Sequence, residues 1–327
     1  MSLLAIVLAL LLEQARPLLR GNALHALVRS WVRLVTRSFD AGRARNAWVA
    51  WILAVVLPAS LALGAHWLLV DRFGWPFAVV WNVAVLYAAL GFRQFSFHFT
   101  DIRDALDAGD HDLARELLAQ WQQVDPNAVP RGEIVRHVLE YSVLAAHRHV
   151  FGVLAWYSVL AAFGLGPAGA VLYRLGEFVP RYWKFKDQEH QLPVSEASQL
   201  VGALAWHIID WLPARITALG FAVVGSFEDA IEAWRSFSDG RAADNDGLIL
   251  AATAGAVNLR LGPVATKPSI GAMPVPPDST EPGRGGPAAT GQTPEPAHLR
   301  TIVGLVWRSV VMWIILLALL TLARLLG

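Results

Sequence analysis

The stretch AWVAWILAVVLPASLALGAHWLLV, residues 47–70, contains no Asp, Glu, Lys or Arg. A bilayer core is crossed by roughly 20 helical residues. Inside it, every backbone N–H and C=O must be satisfied within the segment or by protected neighbours. A run of this length and polarity therefore restricts the chain to helices that cross a membrane. A second run, 76–92, follows the turn DRFGW, and the two read as a helical hairpin. The last run, TIVGLVWRSVVMWIILLALLTLARLLG, reads as a terminal span whose Arg308 and Arg324 snorkel to an interface. Composition agrees, with 55% apolar and only 16% charged residues, where soluble domains carry about 25% charged. The fourteen tryptophans suit a membrane–water boundary.

Residues 2–12 are apolar but short, and read as a span extended by Gln14 and Ala15 or as an interfacial helix. With no basic region ahead of them and no small-residue cleavage site, they read as a retained segment and not a signal peptide. Residues 13–45 are amphipathic and rich in arginine, opposed only by Glu13 and Asp40; the positive-inside rule turns them toward the cytoplasm. Residues 93–148 predict a soluble helical insert. Within it Gly109-Asp110 separates two short helices, with Asp110 capping the second. The run 150–172 is interrupted by Gly164, Gly166, Pro167 and Gly169, which predicts a broken or re-entrant element. An amphipathic helix follows around 226–238.

The expected organisation is a membrane domain over 1–240 carrying the 93–148 insert, then a polar connector over 241–261. A disordered Pro/Gly-rich linker over 262–297 and a C-terminal transmembrane helix over 298–327 complete it. The fold class is all-α, a polytopic helical membrane protein with four to five transmembrane segments.

HIIDWLPARITAL, residues 207–219, places Asp210, Pro213 and Arg215 in an apolar run. Asp210 fits a helix N-cap, its carboxylate accepting from the N–H of 212 or 213. Pro213 would then lie in a first turn, where its missing N–H costs nothing, and 199–209 would be a separate helix. Arg215 is placed to pair with Asp210 or with a phosphate-like ligand. Either these residues cap and anchor, or the break lines a polar site. Elsewhere Glu133, Arg136, His137 and Glu140 share a helical face, with Arg136 and Glu140 at i,i+4 spacing. His147 and His149 diverge on a helix, so no metal site is expected.

The chain carries no nucleotide P-loop, no HExxH and no GxSxG. The absence of cysteine excludes disulfides, Fe–S clusters and thiol catalysis. A net charge of +1 and the lack of a basic-aromatic module give no nucleic-acid partner.

Several stretches together resemble the superfamily that holds the CobD/CbiB cobalamin-biosynthesis proteins and the AmpE membrane regulators. They are LAIVLALLLEQ, RDALDAGDHDLARELLAQW, EIVRHVLE (133–140), GPAGAVLYR (166–174) and DWLPARITAL (210–219), in the family's order. The resemblance implies a multi-pass protein of the bacterial inner membrane. For a CobD/CbiB member it implies ATP-dependent amide ligation of cobyric acid to an aminopropanol unit or its phosphate, with ATP and Mg²⁺. Glu140, Tyr173, Arg174, Asp210, Pro213 and Arg215 then fall on motif positions: Glu140, Asp210 and Arg215 as catalytic, and Tyr173, Arg174, Pro213 and Arg215 as ligand-binding.

The chain also departs from that pattern. LA (144–145) and RH (148–149) stand where Glu-Asn and Asp-Gly pairs are usual, and EFVP (177–180) replaces Asn-Thr-Leu-Asp. Trp206 and His207 replace paired aspartates, and QVDP (123–126) stands for Arg-Asp-Thr. These losses favour, as an expectation, a non-synthase AmpE-like regulatory protein that is not an enzyme and has no cofactor. Its partners would be the lipid bilayer and proteins of a cell-wall or envelope signalling pathway linked to β-lactamase induction. The ligase is the alternative.

Overall fold

In a computed structural model the described residues are 2–16, 23–90, 92–122, 133–188, 194–241, 244–262 and 291–326. In chain order the helices begin with α1 (Ser2–Ala15), α2 (Ala23–Phe39), α3 (Ala44–Trp51), α4 (Leu57–Phe73) and α5 (Trp75–Ala89). The middle of the chain forms α6 (Phe92–Asp107), α7 (His111–Gln122), α8 (Ile134–Ala146), α9 (Gly152–Ala162) and α10 (Ala168–Gln188). The last four are α11 (Glu196–Val224), α12 (Phe227–Arg241), α13 (Asn245–Val257) and α14 (His298–Leu326). Among the described residues there is no strand, only an isolated bridge between Leu259 and Gln292.

Four helical elements, Ala44–Phe73, Ile134–Ala162, Glu196–Val224 and His298–Ala323, are long and apolar enough to cross a membrane; Ser2–Ala15 and Trp75–Ala89 are shorter apolar helices. The protein is an all-α polytopic membrane protein. Its exposed side chains include Leu61, Trp67, Phe73 and Val80 on α4 and α5, and Ile315, Leu319 and Leu322 on α14, an apolar surface suited to lipid.

The chain forms two compact units, one of Met1–Gly91 with Arg148–Pro213 and another of Phe92–His147 with Ala214–Gly327. In the first unit a π turn, Ile52–Val56, joins α3 to α4, and the Leu57 N–H reaches back to the Ile52 carbonyl. The widened turn stands just before Pro58, whose ring would crowd the carbonyl four residues back in a regular helix. Gly74, at φ 84°, turns α4 into α5. Trp81 then donates to the Ala62 carbonyl at 3.0 Å, and Asn82 meets the His66 ring at 3.1 Å.

The run expected to break at its glycines does so. α9 ends at Ala162, Gly164 and Gly166 take positive φ, and α10 begins at Ala168. Close approach of α9 and α10 depends on Gly169, where a Cβ would lie 2.1 Å from the Trp156 carbonyl oxygen. Such small residues let helices approach backbone to backbone. The fully buried Trp183 of α10 donates its indole N–H to Thr36 Oγ1 at 2.8 Å, tying α2 to α10.

Asp40 follows α2 and receives the Ser195 N–H at 2.8 Å, the Ser198 hydroxyl at 3.1 Å and the Ser195 hydroxyl. Burial alone would raise its carboxyl. The hydrogen bonds from Ser195, Ser198 and Gly42 outweigh that and hold it below the usual range. The side chain thereby anchors the entry to α11.

In the second unit α6, α7 and α8 pack together, with Trp121 edge-on to Tyr141 at 4.6 Å. Gly109, at φ 76°, separates α6 from α7, and Asp110 accepts the Leu113 N–H at 2.9 Å, the cap its sequence predicts. The stretch expected as a polar connector instead holds α13, buried nearly throughout. α13 pairs with α12 through Phe237, Leu248, Ala251 and Ala252, beside Ala218. At its cap Asp244 accepts the Gly247 N–H at 3.0 Å, and the buried Thr253 returns its hydroxyl to the Ile249 carbonyl at 2.7 Å. Of the expected linker, 263–290 lies outside the described residues, and so does the QVDP stretch.

Candidate functional site

The expectation that a helix restarts at Asp210 is wrong: α11 runs unbroken through it, with Pro213 in its interior. The reason is a replacement donor. Proline removes the N–H that would bond the carbonyl four residues back, that of Ile209, and the Trp156 indole N–H donates to that carbonyl at 2.9 Å. With the vacant acceptor satisfied, the helix need not break. Asp210 is consequently no cap.

It is fully buried and accepts the Tyr173 hydroxyl at 2.8 Å. Tyr173 is also fully buried, its ring 5.2 Å from that of Trp206. A Cβ on Gly152 would lie 2.0 Å from the Tyr173 ring, so the phenol fits only because that position is glycine. Burial, then the adjacent Asp210, pushes the Tyr173 hydroxyl well above its usual range and keeps it a donor.

One turn along α10 lies Glu177, its side chain only 3% exposed, which Arg174 and Arg181 meet at 3.0 and 3.2 Å. Burial works against the charged carboxyl, but the guanidiniums of Arg181, Arg174 and Arg148 together hold it below the usual range. The first unit therefore brings Tyr173, Arg174 and Asp210 into one buried polar constellation. Glu177, Arg181, Arg148 and Trp156 join it without having been singled out in the sequence. Glu177 and Arg181 were legible as i,i+3 and i,i+4 partners of one helix. Reading EFVP as the loss of a motif concealed a carboxylate that stands inside the cluster.

Glu140 and Arg215 belong to the second unit. Glu140 accepts the Gly262 N–H at 3.0 Å, with Arg136 at 3.8 Å and His137 at 3.9 Å. Arg215 donates to Asn245 at 3.2 Å, at the start of α13. The HRH tripeptide lies in a π turn, His147–Phe151, and the buried His147 meets the Thr217 hydroxyl at 2.9 Å. Among the described residues no three imidazoles or carboxylates converge as a metal-binding group.

An all-helical membrane protein with buried ionisable groups at a compensated proline and a glycine-broken helix is the class this architecture defines. Within that class, a family model described as CobD/Cbib protein matches residues 2–272, and the chain belongs to that family.

Its relatives include a protein of Stutzerimonas stutzeri, 29% identical over 284 residues that cover 84% of each chain. One of Chromobacterium violaceum is 31% identical over 205 residues, and the match spans 61% of this chain but only 62% of that relative. One of Mycobacterium tuberculosis is 27% identical over 246 residues, 74% of each chain. All three are named "Cobalamin biosynthesis protein CobD". No solved structure matches.

These relatives overturn the AmpE-like regulatory reading, and the link to β-lactamase induction that hung on it loses its support. That reading took missing motif residues as missing chemistry, although Glu177 restores a buried carboxylate where EFVP was counted as a loss.

Proposed function

We propose that the chain acts in cobalamin biosynthesis as an amide ligase joining cobyric acid to aminopropanol or its phosphate, with ATP as the source of activation. The observation that carries this is the match over 84% of both chains to a relative named for that pathway. In such a reaction ATP transfers a phosphoryl group to the carboxylate. The amine nitrogen then attacks the acyl carbon, phosphate leaves, and the amine gives up a proton. Positive side chains that neutralise the phosphates and a carboxylate that handles the proton are what this chemistry needs.

Arg174 supplies the first, and the hydrogen-bonded Asp210–Tyr173 pair supplies the second. Pro213 and Trp156 hold α11 in the form that presents Asp210. The reaction would then run at the cytoplasmic face of a bacterial inner membrane, a location supported by the positive-inside reading of the arginine-rich 13–45 segment.

Complementation tests the reading. A bacterium lacking its cobinamide-forming ligase is given this chain and cobyric acid, and B12-dependent growth is scored alongside membrane expression. Growth is expected; no growth from a well-expressed protein sinks the proposal.

A further inference from the structure

Glu177 uses both of its oxygens on guanidiniums: Oε2 faces Arg174 Nη1 at 3.0 Å and Oε1 faces Arg181 Nη1 at 3.2 Å. The carboxylate lies underneath, while the Arg174 and Arg181 side chains remain 21% and 34% exposed. Glu177 thus orients two positive charges; with Arg148 and Asp210, which also act on it, three positive charges face two negative ones and leave one positive charge in excess at a half-buried place. Each guanidinium carries five N–H donors in a planar fork that matches carboxylate and phosphate oxygens. Desolvated positive charge is costly unless an anion completes it.

We propose that Arg174 and Arg181, oriented by Glu177, form a clamp for an oxyanion group, with Glu177 as a positioning residue. Under the function proposed above, on which only this assignment rests, the clamped group is a phosphate or carboxylate of a soluble substrate. The same chemistry would hold the headgroup phosphate of an anionic lipid.

The full chain in phosphatidylcholine nanodiscs, titrated calorimetrically with inorganic phosphate, tests the clamp. Saturable binding is expected, weakened about tenfold or more by Arg181→Ala and by Arg174→Ala, since a charge-assisted hydrogen bond contributes at least that factor. Arg181→Lys, which keeps the charge but not the fork, guards against misfolding and should also weaken binding. Glu177→Gln separates positioning from electrostatics. Removing a negative charge should tighten phosphate if charge alone matters, whereas a disordered fork weakens it, and Glu177→Asp restores part of the loss.

If the natural occupant is a lipid, phosphatidylglycerol in the discs displaces phosphate from the wild type, and native mass spectrometry finds that lipid retained by it and lost from Arg181→Lys. Tighter binding in Glu177→Gln overturns the positioning role. Equal binding by wild type and arginine variants, or no binding of either probe by the wild type, overturns the clamp. Phosphate binding without complementation would remove the functional reading and keep the clamp. Complementation indifferent to Arg181 would keep the functional reading and overturn the assignment of the clamped group to its soluble substrate.

Discussion

Glu177 in the first unit and Glu140 in the second are both carboxylates withdrawn from solvent on helices, yet their partners differ in kind. Glu177 is bridged by two guanidiniums. Glu140 accepts a backbone N–H from Gly262, with Arg136 farther off at 3.8 Å. The contrast extends to their neighbours. In the first unit Tyr173 donates to Asp210 between two fully buried side chains of different helices. In the second, Arg215 donates to Asn245 beside a helix cap that Asp244 closes on a backbone N–H. Interactions to backbone and caps fix helices in place, whereas buried side-chain charges held by other side chains are costly and mark functional sites. Under the proposed function, this difference favours the first unit as the place of the chemistry, with Arg215 in the second holding α13 to α11.

The largest expected effect attacks the packing beneath the first site. Gly169→Val drives a side chain into the Trp156 carbonyl, from which even an added Cβ would lie only 2.1 Å. Little folded protein should be recovered from membranes, as judged by size-exclusion of the detergent extract. Next, Asp210→Asn and Tyr173→Phe should lower ligation at least about a hundredfold, the scale of a lost acid–base group, while thermal melts show the fold retained. Arg215→Lys should cost less than either, and a larger loss there would erase the distinction between the units.

Trp156→Phe removes the donor to Ile209 and should destabilise by about 1–3 kcal/mol, the cost of a buried unsatisfied carbonyl; a melt unchanged from wild type would contradict the proline compensation. Asp40 gives a pH signature. Because its folded value lies below the ordinary 3.8, its contribution is fully present above that pH and fades as pH falls through the lowered value. Asp40→Asn should therefore flatten the acid limb of the melting-temperature profile. The smallest effect is Gly304→Ala, which meets nothing within 4 Å and should change stability by less than about 0.5 kcal/mol.

Spans, the glycine break before α10 and the Asp110 cap were legible because each depends on residues within one or two turns. Pro213 was misread because the donor that rescues its helix comes from Trp156, 53 residues before Ile209. The Tyr173–Asp210 bond likewise joins residues 37 apart and leaves no local pattern. α13 was missed because its polar first turn, NDG, drew attention away from the LILAATAGAV that follows. The motif positions are legible in the sequence, but motif order says nothing of their division, four in one unit and two in the other.

The most direct test of the account is amide formation by the purified chain. Cobyric acid, aminopropanol phosphate and ATP are supplied to wild type and to Asp210→Asn, and the product is followed by mass spectrometry with folding checked by thermal melt. The account predicts product from wild type and almost none from the folded Asp210→Asn protein. Equal product from both would contradict it, as would none from a well-folded wild type.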